Sequence, residues 1–149
     1  ELVNTILEEA GEKTALLSSI YRKIGEERKR KELPNTMPGR MYIPKLLKEA
    51  EKAGCKYAVL EVTSQGVVQF RHKYIDWNAA VFLNLHPEHI ESHGSFEKYR
   101  KAKVRFFKSL KSSKAEKKYF LINGDDKSAV YFKEAAEKLP EEEREIIGL

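Results

Sequence analysis

Apolar and polar positions along this chain follow two rhythms, one of amphipathic helices and one of short apolar runs. Leu2, Val3, Ile6 and Leu7 share one side of a helix, and the pattern stops near Gly11, a position suited to a left-handed cap. Residues 14–24 are rich in apolar and hydroxyl side chains and pass through Gly25 into a very polar stretch ending at Leu33-Pro34. That sequence predicts a strand followed by an exposed hairpin. After the loop Asn35-Thr36-Met37-Pro38-Gly39, the positions Ile43, Leu46, Leu47 and Ala50 predict a helix ending near Gly54. Tyr57-Ala58-Val59-Leu60 and Ala79-Ala80-Val81-Phe82-Leu83 are short continuous apolar runs, as expected of parallel strands covered on both faces. Phe96, Tyr99, Phe106 and Leu110 then recur at helical spacing. Tyr119-Phe120-Leu121-Ile122 predicts another strand, and Asp125-Asp126 open a last helical pattern that Leu139-Pro140 breaks before an acidic tail.

Strands that alternate with helices imply right-handed crossovers and an α/β fold of three layers, a mostly parallel sheet with helices on both faces. Ligands of such sheets sit beyond the carboxyl ends of the strands. Glu61, Asn84 and Asn123 each occupy such an end. Lys103 falls on the apolar stripe of the helix after Ser95, so its ammonium is expected to point inward. A buried unpaired charge is costly, and Lys103 must therefore snorkel out, find an acidic partner or be chemically converted. Glu61, His89 and Lys103 are thereby candidates to converge, although they are distant in sequence.

Composition narrows the function classes. A chain of 149 residues with 41% hydrophobic residues suits one domain spanning 1–149 with its own core. No apolar run is long enough to cross a bilayer and no signal-peptide pattern is present, which makes the cytoplasm the expected compartment. The single cysteine, Cys55, has no partner for a disulfide or a metal and is expected to be a small filler. The formal charge of +5 and pI near 9.2 raise a nucleic-acid reading. Basic residues do cluster at Arg28-Lys29-Arg30-Lys31 and between Lys98 and Lys118, but no nucleic-acid-binding motif accompanies them. Anionic nucleotide ligands favour a basic surface equally well.

Glu61-Val62-Thr63-Ser64-Gln65-Gly66-Val67 with Arg71, then residues 83–94 containing Asn84, Glu88, His89, His93 and Gly94, then Ala102-Lys103, form an ordered set. The set resembles the central, ATP-using domain of the Mur ligases, most closely the UDP-N-acetylmuramoyl-dipeptide ligases that add the third residue of the peptidoglycan stem peptide. Their corresponding runs read roughly E-V-S-S-H-G-L, T-N-L-x-x-D-H-L-D-x-H-G and A-K, and Ile122-Asn123-Gly124-Asp125-Asp126 resembles their I-N-x-D-D segment. The resemblance implies a fold like that of P-loop proteins. It implies that Glu61, His89 and a carbamylated Lys103 are catalytic and hold Mg2+, and that Asn84 contributes to cofactor binding. Thr36, Thr63, Gln69 and Arg71 would contact the UDP-N-acetylmuramoyl peptide, Arg71 through a rigid fork of donors. The implied reaction uses ATP to convert a substrate carboxylate to an acyl phosphate, which an amino acid's amine attacks; neither nucleic acid nor membrane takes part. Carbon dioxide adds only to a neutral amine, which a desolvated site populates, and the product is an anionic group able to bind magnesium. Taken singly, Glu61 could instead cap a helix, His89 could lie on the surface and Lys103 could extend over Tyr99. His86 and His93 suit solvated or structural roles.

The chain departs from the family pattern in places. Thr63 replaces serine, Gln65 histidine and Met37 a second threonine, while Glu88 and Glu91 replace aspartates. A phosphate-cradling G-x-x-x-x-G-K-[ST] loop, expected before the first helix, does not occur in these residues. The expectation is that this polypeptide alone is inactive, being a fragment of a larger ligase or a truncated relative. Two classes of function follow: part of an ATP-dependent amide ligase, or a non-catalytic binding domain derived from that fold. Residues that select the amino acid are expected outside this stretch.

Overall fold

A computed structural model describes residues 1–39, 41–87 and 90–149, and of Ile90 the backbone alone. Two compact units divide it, Glu1–Arg71 and His72–Leu149.

The first unit opens with α1 (Leu2–Glu9), continues with β1 (Thr14–Leu17), β2 (Tyr21–Ile24) and β3 (Glu27–Arg30), and ends with α2 (Tyr42–Lys52), β4 (Tyr57–Leu60) and α3 (Ser64–Val68). Its sheet runs β3-β2-β1-β4. Residues 14–24, expected as one strand, form two antiparallel strands, β1 and β2, because the chain turns back at Ser18, and the polar stretch after Gly25 supplies β3, antiparallel to β2; β1 pairs in parallel with β4 from Thr14↔Tyr57 to Leu17↔Leu60. Gly25 adopts φ 56 at the hairpin turn, a left-handed conformation that glycine enters without steric cost. Ala15, Leu16 and Leu17 of β1 are buried with Ile43 and Leu46 of α2, giving this unit its core.

The second unit holds β5 (Ala79–Phe82), α4 (Ile90–His93), α5 (Phe96–Ser109), β6 (Lys118–Ile122), α6 (Ala129–Ala136) and β7 (Arg144–Gly148). Its sheet, β5-β6-β7, is parallel throughout. Phe82 stacks on Phe132 of α6 with centroids 3.8 Å apart, and Phe107 of α5 meets both Phe120 and Phe132. Aromatic rings thus fill the space between α5, α6 and one face of the sheet.

The α/β class and the largely parallel pairing are as expected, and three further local features differ. Residues 144–148, read as an acidic tail, form β7, because pairing with β6 supplies ladder partners that a glutamate-rich sequence conceals. β5 buries only alternate residues, Ala80 and Phe82, while Val81 is exposed, and β4 is exposed to half-buried rather than covered on both faces. In α1, Leu2, Val3 and Ile6 are exposed and Asn4 is buried, so the apolar stripe is not the face that α1 turns inward.

Candidate functional site

β1 and β4 end together, and the polar side chains of Ser19, Thr36 and Glu61 gather just beyond them. The Glu61 N–H donates to Leu17 O at 2.9 Å, carrying the parallel pairing one step past the strands. β1 meanwhile turns through Ser18, whose Oγ accepts from the N–H groups of Ile20 (3.2 Å) and Tyr21 (3.0 Å). That turn aims Ser19 at Glu61. The Ser19 N–H donates to Glu61 Oε2 at 2.7 Å and its hydroxyl to Oε1 at 2.8 Å. Ser19 Oγ also lies 2.9 Å from Thr36 Oγ1. An ionised carboxylate only accepts, so the Ser19 hydrogen is committed to Glu61 and the Thr36 hydroxyl donates to Ser19. A directed chain results, Thr36 to Ser19 to Glu61.

Lys31 closes the same corner. Its Nζ donates to Ser18 O at 3.0 Å and to Asn35 O at 2.8 Å, tying the Thr36 loop to the end of β1. Desolvation lowers the Lys31 pKa, while the Glu61 charge pulls it back up. A cavity of about 250 Å³ opens between Leu16, Ile20, Val59 and Leu60, with Ser18, Ser19, Glu61 and Glu1 at its polar rim.

Met37 organises the other substrate candidates. Its side chain is buried at 1% exposure, with Sδ 3.4 Å from the Thr63 N–H, and its carbonyl accepts from the Arg71 guanidinium. Thr63 caps α3, its Oγ1 accepting from the Gly66 N–H at 3.1 Å. Gly66 permits this closeness, since a Cβ there would stand 2.3 Å from Met37 Sδ and 3.0 Å from Thr63 Oγ1. Past α3, Phe70 adopts φ 59, with bonds from Phe70 N–H to Val67 O and from Arg71 N–H to Gly66 O. This left-handed cap, built on phenylalanine where glycine is usual, turns the chain back at Arg71. Gln69 is exposed at the end of α3. Thr63, Gly66 and Arg71 therefore meet at one buried methionine, the residue after Thr36, where the resemblance expects a hydroxyl.

In the second unit Asn84 is exposed just beyond β5. The loop after β5 is held by Asp126, whose Oδ2 accepts from the Leu85 N–H at 2.8 Å and Oδ1 from the Ser128 N–H at 2.7 Å. Desolvation would raise the Asp126 pKa, but these hydrogen bonds, with His86 nearby, outweigh it and lower the value. Asn123 Nδ2 donates to Leu83 O at 2.8 Å, so the Asn-Gly-Asp-Asp run clamps the end of β5. Lys103 is half-buried on α5, with Nζ 5.7 Å from the Tyr99 ring centroid. That approach to a buried ring of the same helix is one of the arrangements its flexible stem allows. Ser95 caps α5 by accepting from the Lys98 N–H at 3.2 Å. His93 is half-buried with its ring 5.4 Å from Tyr99, and His86 is exposed.

The predicted metal ligands are distributed. Glu61 belongs to the first unit and Lys103 to the second, while His89, with Glu88, lies outside the described residues. Among the described residues no three His, Cys, Asp or Glu side chains form a metal-holding group. Ser19 and Lys31 are the residues of this hydrogen-bonded corner that sequence reasoning missed. Lys31 stands in a run of basic residues, and Ser19 gains meaning only from its position at the end of β1. The signal available was that a serine pair follows a buried strand.

Residues 1–145 match the family described as the Mur ligase middle domain. The UDP-N-acetylmuramoyl-L-alanyl-D-glutamate–2,6-diaminopimelate ligase of Syntrophomonas wolfei is 36% identical over 126 residues, covering 85% of this chain and 25% of that protein. The corresponding ligase of Listeria innocua is 37% identical over 131 residues, covering 87% and 26%. The L-lysine ligase of Staphylococcus aureus is 35% identical over 99 residues, covering 66% and 20%. A solved structure of a 2,6-diaminopimelate ligase aligns with a TM-score of 0.80 at 26% identity, covering 99% of this chain and 28% of that one. The chain thus spans about a quarter of the length of these relatives.

Proposed function

The chain belongs to the Mur ligase middle-domain family, and from that premise we propose that it is the ATP-using part of an amide ligase of peptidoglycan precursor synthesis. Its substrates would be a UDP-N-acetylmuramoyl peptide, an amino acid and ATP. The observation that carries the reading is the hydrogen-bonded chain from Thr36 through Ser19 to Glu61 at the carboxyl ends of β1 and β4. Thr36, a substrate candidate, and Glu61, a metal-ligand candidate, are thereby linked at the edge where ligands of parallel sheets bind, which supports the reading. One family match runs through both compact units, which supports reading residues 1–149 as parts of one domain.

In this reading Thr36, Thr63, Gln69 and Arg71 hold the muramoyl peptide, with Arg71 supplying the charge that suits a carboxylate or phosphate. Asn84, beyond β5, contributes to cofactor binding. Glu61 fits a hard divalent cation, because each of its oxygens accepts one hydrogen bond from Ser19 and keeps lone-pair capacity. Glu61, His89 and Lys103, carbamylated by carbon dioxide with release of a proton, are the residues that would hold magnesium, which supplies charge neutralisation for phosphoryl transfer. ATP phosphorylates the substrate carboxylate and leaves as ADP, and attack by the amine forms the amide and releases phosphate. Among the described residues no helix is long and apolar enough to cross a membrane. A substrate bearing UDP suits the cytoplasm, where nucleotide precursors are made.

The test is ADP release by the native protein, as its cells make it, with UDP-N-acetylmuramoyl-L-alanyl-D-glutamate and a candidate amino acid. Release that requires both substrates is expected. Binding of the muramoyl dipeptide without turnover would instead assign a non-catalytic binding domain.

A further inference from the structure

We propose that Ser19 is a positioning residue of the ligase site, fixing the Glu61 carboxylate and the Thr36 hydroxyl in one arrangement so that cation binding and muramoyl-peptide binding depend on each other. The inference rests on the function proposed above and deepens it. Ser19 offers two donors, and the two go to different oxygens of one carboxylate, N–H to Oε2 and Oγ–H to Oε1. A carboxylate gripped at both oxygens cannot rotate about its last bond, so the direction of its remaining lone pairs is set. The same hydroxyl accepts from Thr36, which joins the loop before α2 to the residue after β4.

These bonds lie where water competes. Ser19 and Glu61 are both exposed, so the bonds contribute little to folding, and their value lies in orientation. Lys31 reinforces the frame, with its ammonium on Ser18 O and Asn35 O, the neighbours of Ser19 and Thr36. Loss of the Ser19 hydroxyl would free Glu61 Oε1 and Thr36 together, and loss of the Thr36 hydroxyl would release the Ser19 Oγ that grips Glu61.

The experiment compares wild type, Ser19→Ala, Ser19→Thr and Thr36→Val in the native full-length protein. Two quantities are read: the dissociation constant of UDP-N-acetylmuramoyl-L-alanyl-D-glutamate by calorimetry without ATP, and the magnesium concentration that gives half-maximal turnover. Ser19→Ala is expected to raise the magnesium requirement about tenfold, the scale seen when a group that orients a metal ligand is removed. It should also weaken muramoyl binding several-fold, with Ser19→Thr restoring both. Thr36→Val is expected to shift the magnesium requirement although Thr36 touches no metal, and it serves if Ser19→Ala fails to fold. Variants that change only the melting temperature, or a threonine replacement that rescues neither quantity, would overturn the inference alone. A wild type that neither binds the dipeptide nor turns over would overturn the ligase reading as well.

Discussion

His72 is 2% exposed, and its Nδ1 meets no hydrogen-bond partner among the described residues. Burial, aided by the positive charges of Arg105 and Lys73, depresses its pKa from 6.5 to about 4. The fold therefore holds the imidazole neutral, and between pH 6.5 and 4 the unfolded chain binds the additional proton. Stability from this group is complete above pH 6.5 and declines as pH falls toward 4, by on the order of 3 kcal/mol at most. His72→Phe removes the titrating group and keeps a ring against Phe106, and the bond from Trp77 Nε1 ends on the His72 carbonyl, which the substitution leaves intact. Urea unfolding at pH 7 and pH 4.5 should show a smaller loss for His72→Phe than for wild type; equal losses would remove His72 as the cause. Gly66 poses a different contest at the same scale. Alanine would gain up to about 1 kcal/mol of helix propensity, but its Cβ would overlap Met37 Sδ, and overpacking costs about 1–3 kcal/mol. Gly66→Ala should therefore melt lower than wild type and weaken muramoyl-peptide binding through displaced Met37 and Thr63. A stabilised variant with unchanged binding would show that the Met37 side chain moves aside freely.

Lys118 opens β6 and is almost wholly buried, and its Nζ lies 2.9 Å from Glu143, the residue before β7. This pair joins two parallel strands at their start, so its two halves can be separated by substitution. Glu143→Ala leaves the ammonium buried beside a missing partner and should cost about 1–3 kcal/mol, while Lys118→Met replaces the charge with apolar volume and should be near neutral. Melting temperatures of the two variants decide this, and equal losses would mean that the Lys118 stem matters more than its charge. β7 itself was hidden in the sequence, because Glu141, Glu142 and Glu143 mask the Ile146-Ile147 pair and nothing local distinguishes a short final strand from a tail. Only its ladder with β6 does so. The long elements were legible for the converse reason. α2 and α5 repeat their apolar stripes over three or more turns, and the hairpin after β1 is announced by Gly25 between charged runs. Thr36, Glu61, Thr63 and Arg71 could be named from motif order, yet their connection through Ser19 and Met37 depends on turn geometry that spacing does not encode.

The basic excess of the whole chain, +5, is distributed rather than focused. Arg22 pairs with Glu49, Lys23 with Glu8, Arg28 with Glu1, Lys101 with Glu97 and Lys117 with Glu145, so both clusters noted in the sequence contain cations already engaged. Exposed pairs of this kind add little stability, but they remove the uninterrupted row of free cations that a nucleic-acid backbone selects. Under the proposed function, the muramoyl peptide carries a pyrophosphate and carboxylates and so presents only a few charges, which Arg71 and the net field would attract. The two partners differ in salt dependence. A polyanion making six to ten phosphate contacts loses about 10³-fold or more in affinity over a fourfold rise in salt. The muramoyl dipeptide should lose less than about tenfold between 50 and 500 mM, because few counterions are released and screening acts over only about 10 Å at 0.1 M. Calorimetric titration of the native protein across that range separates them. A steep slope with the dipeptide, or tight binding of a random RNA at 150 mM salt, would mean that the basic surface serves a polymer, while a shallow slope that steepens no further on Arg71→Lys would confine the electrostatic contact to the site itself.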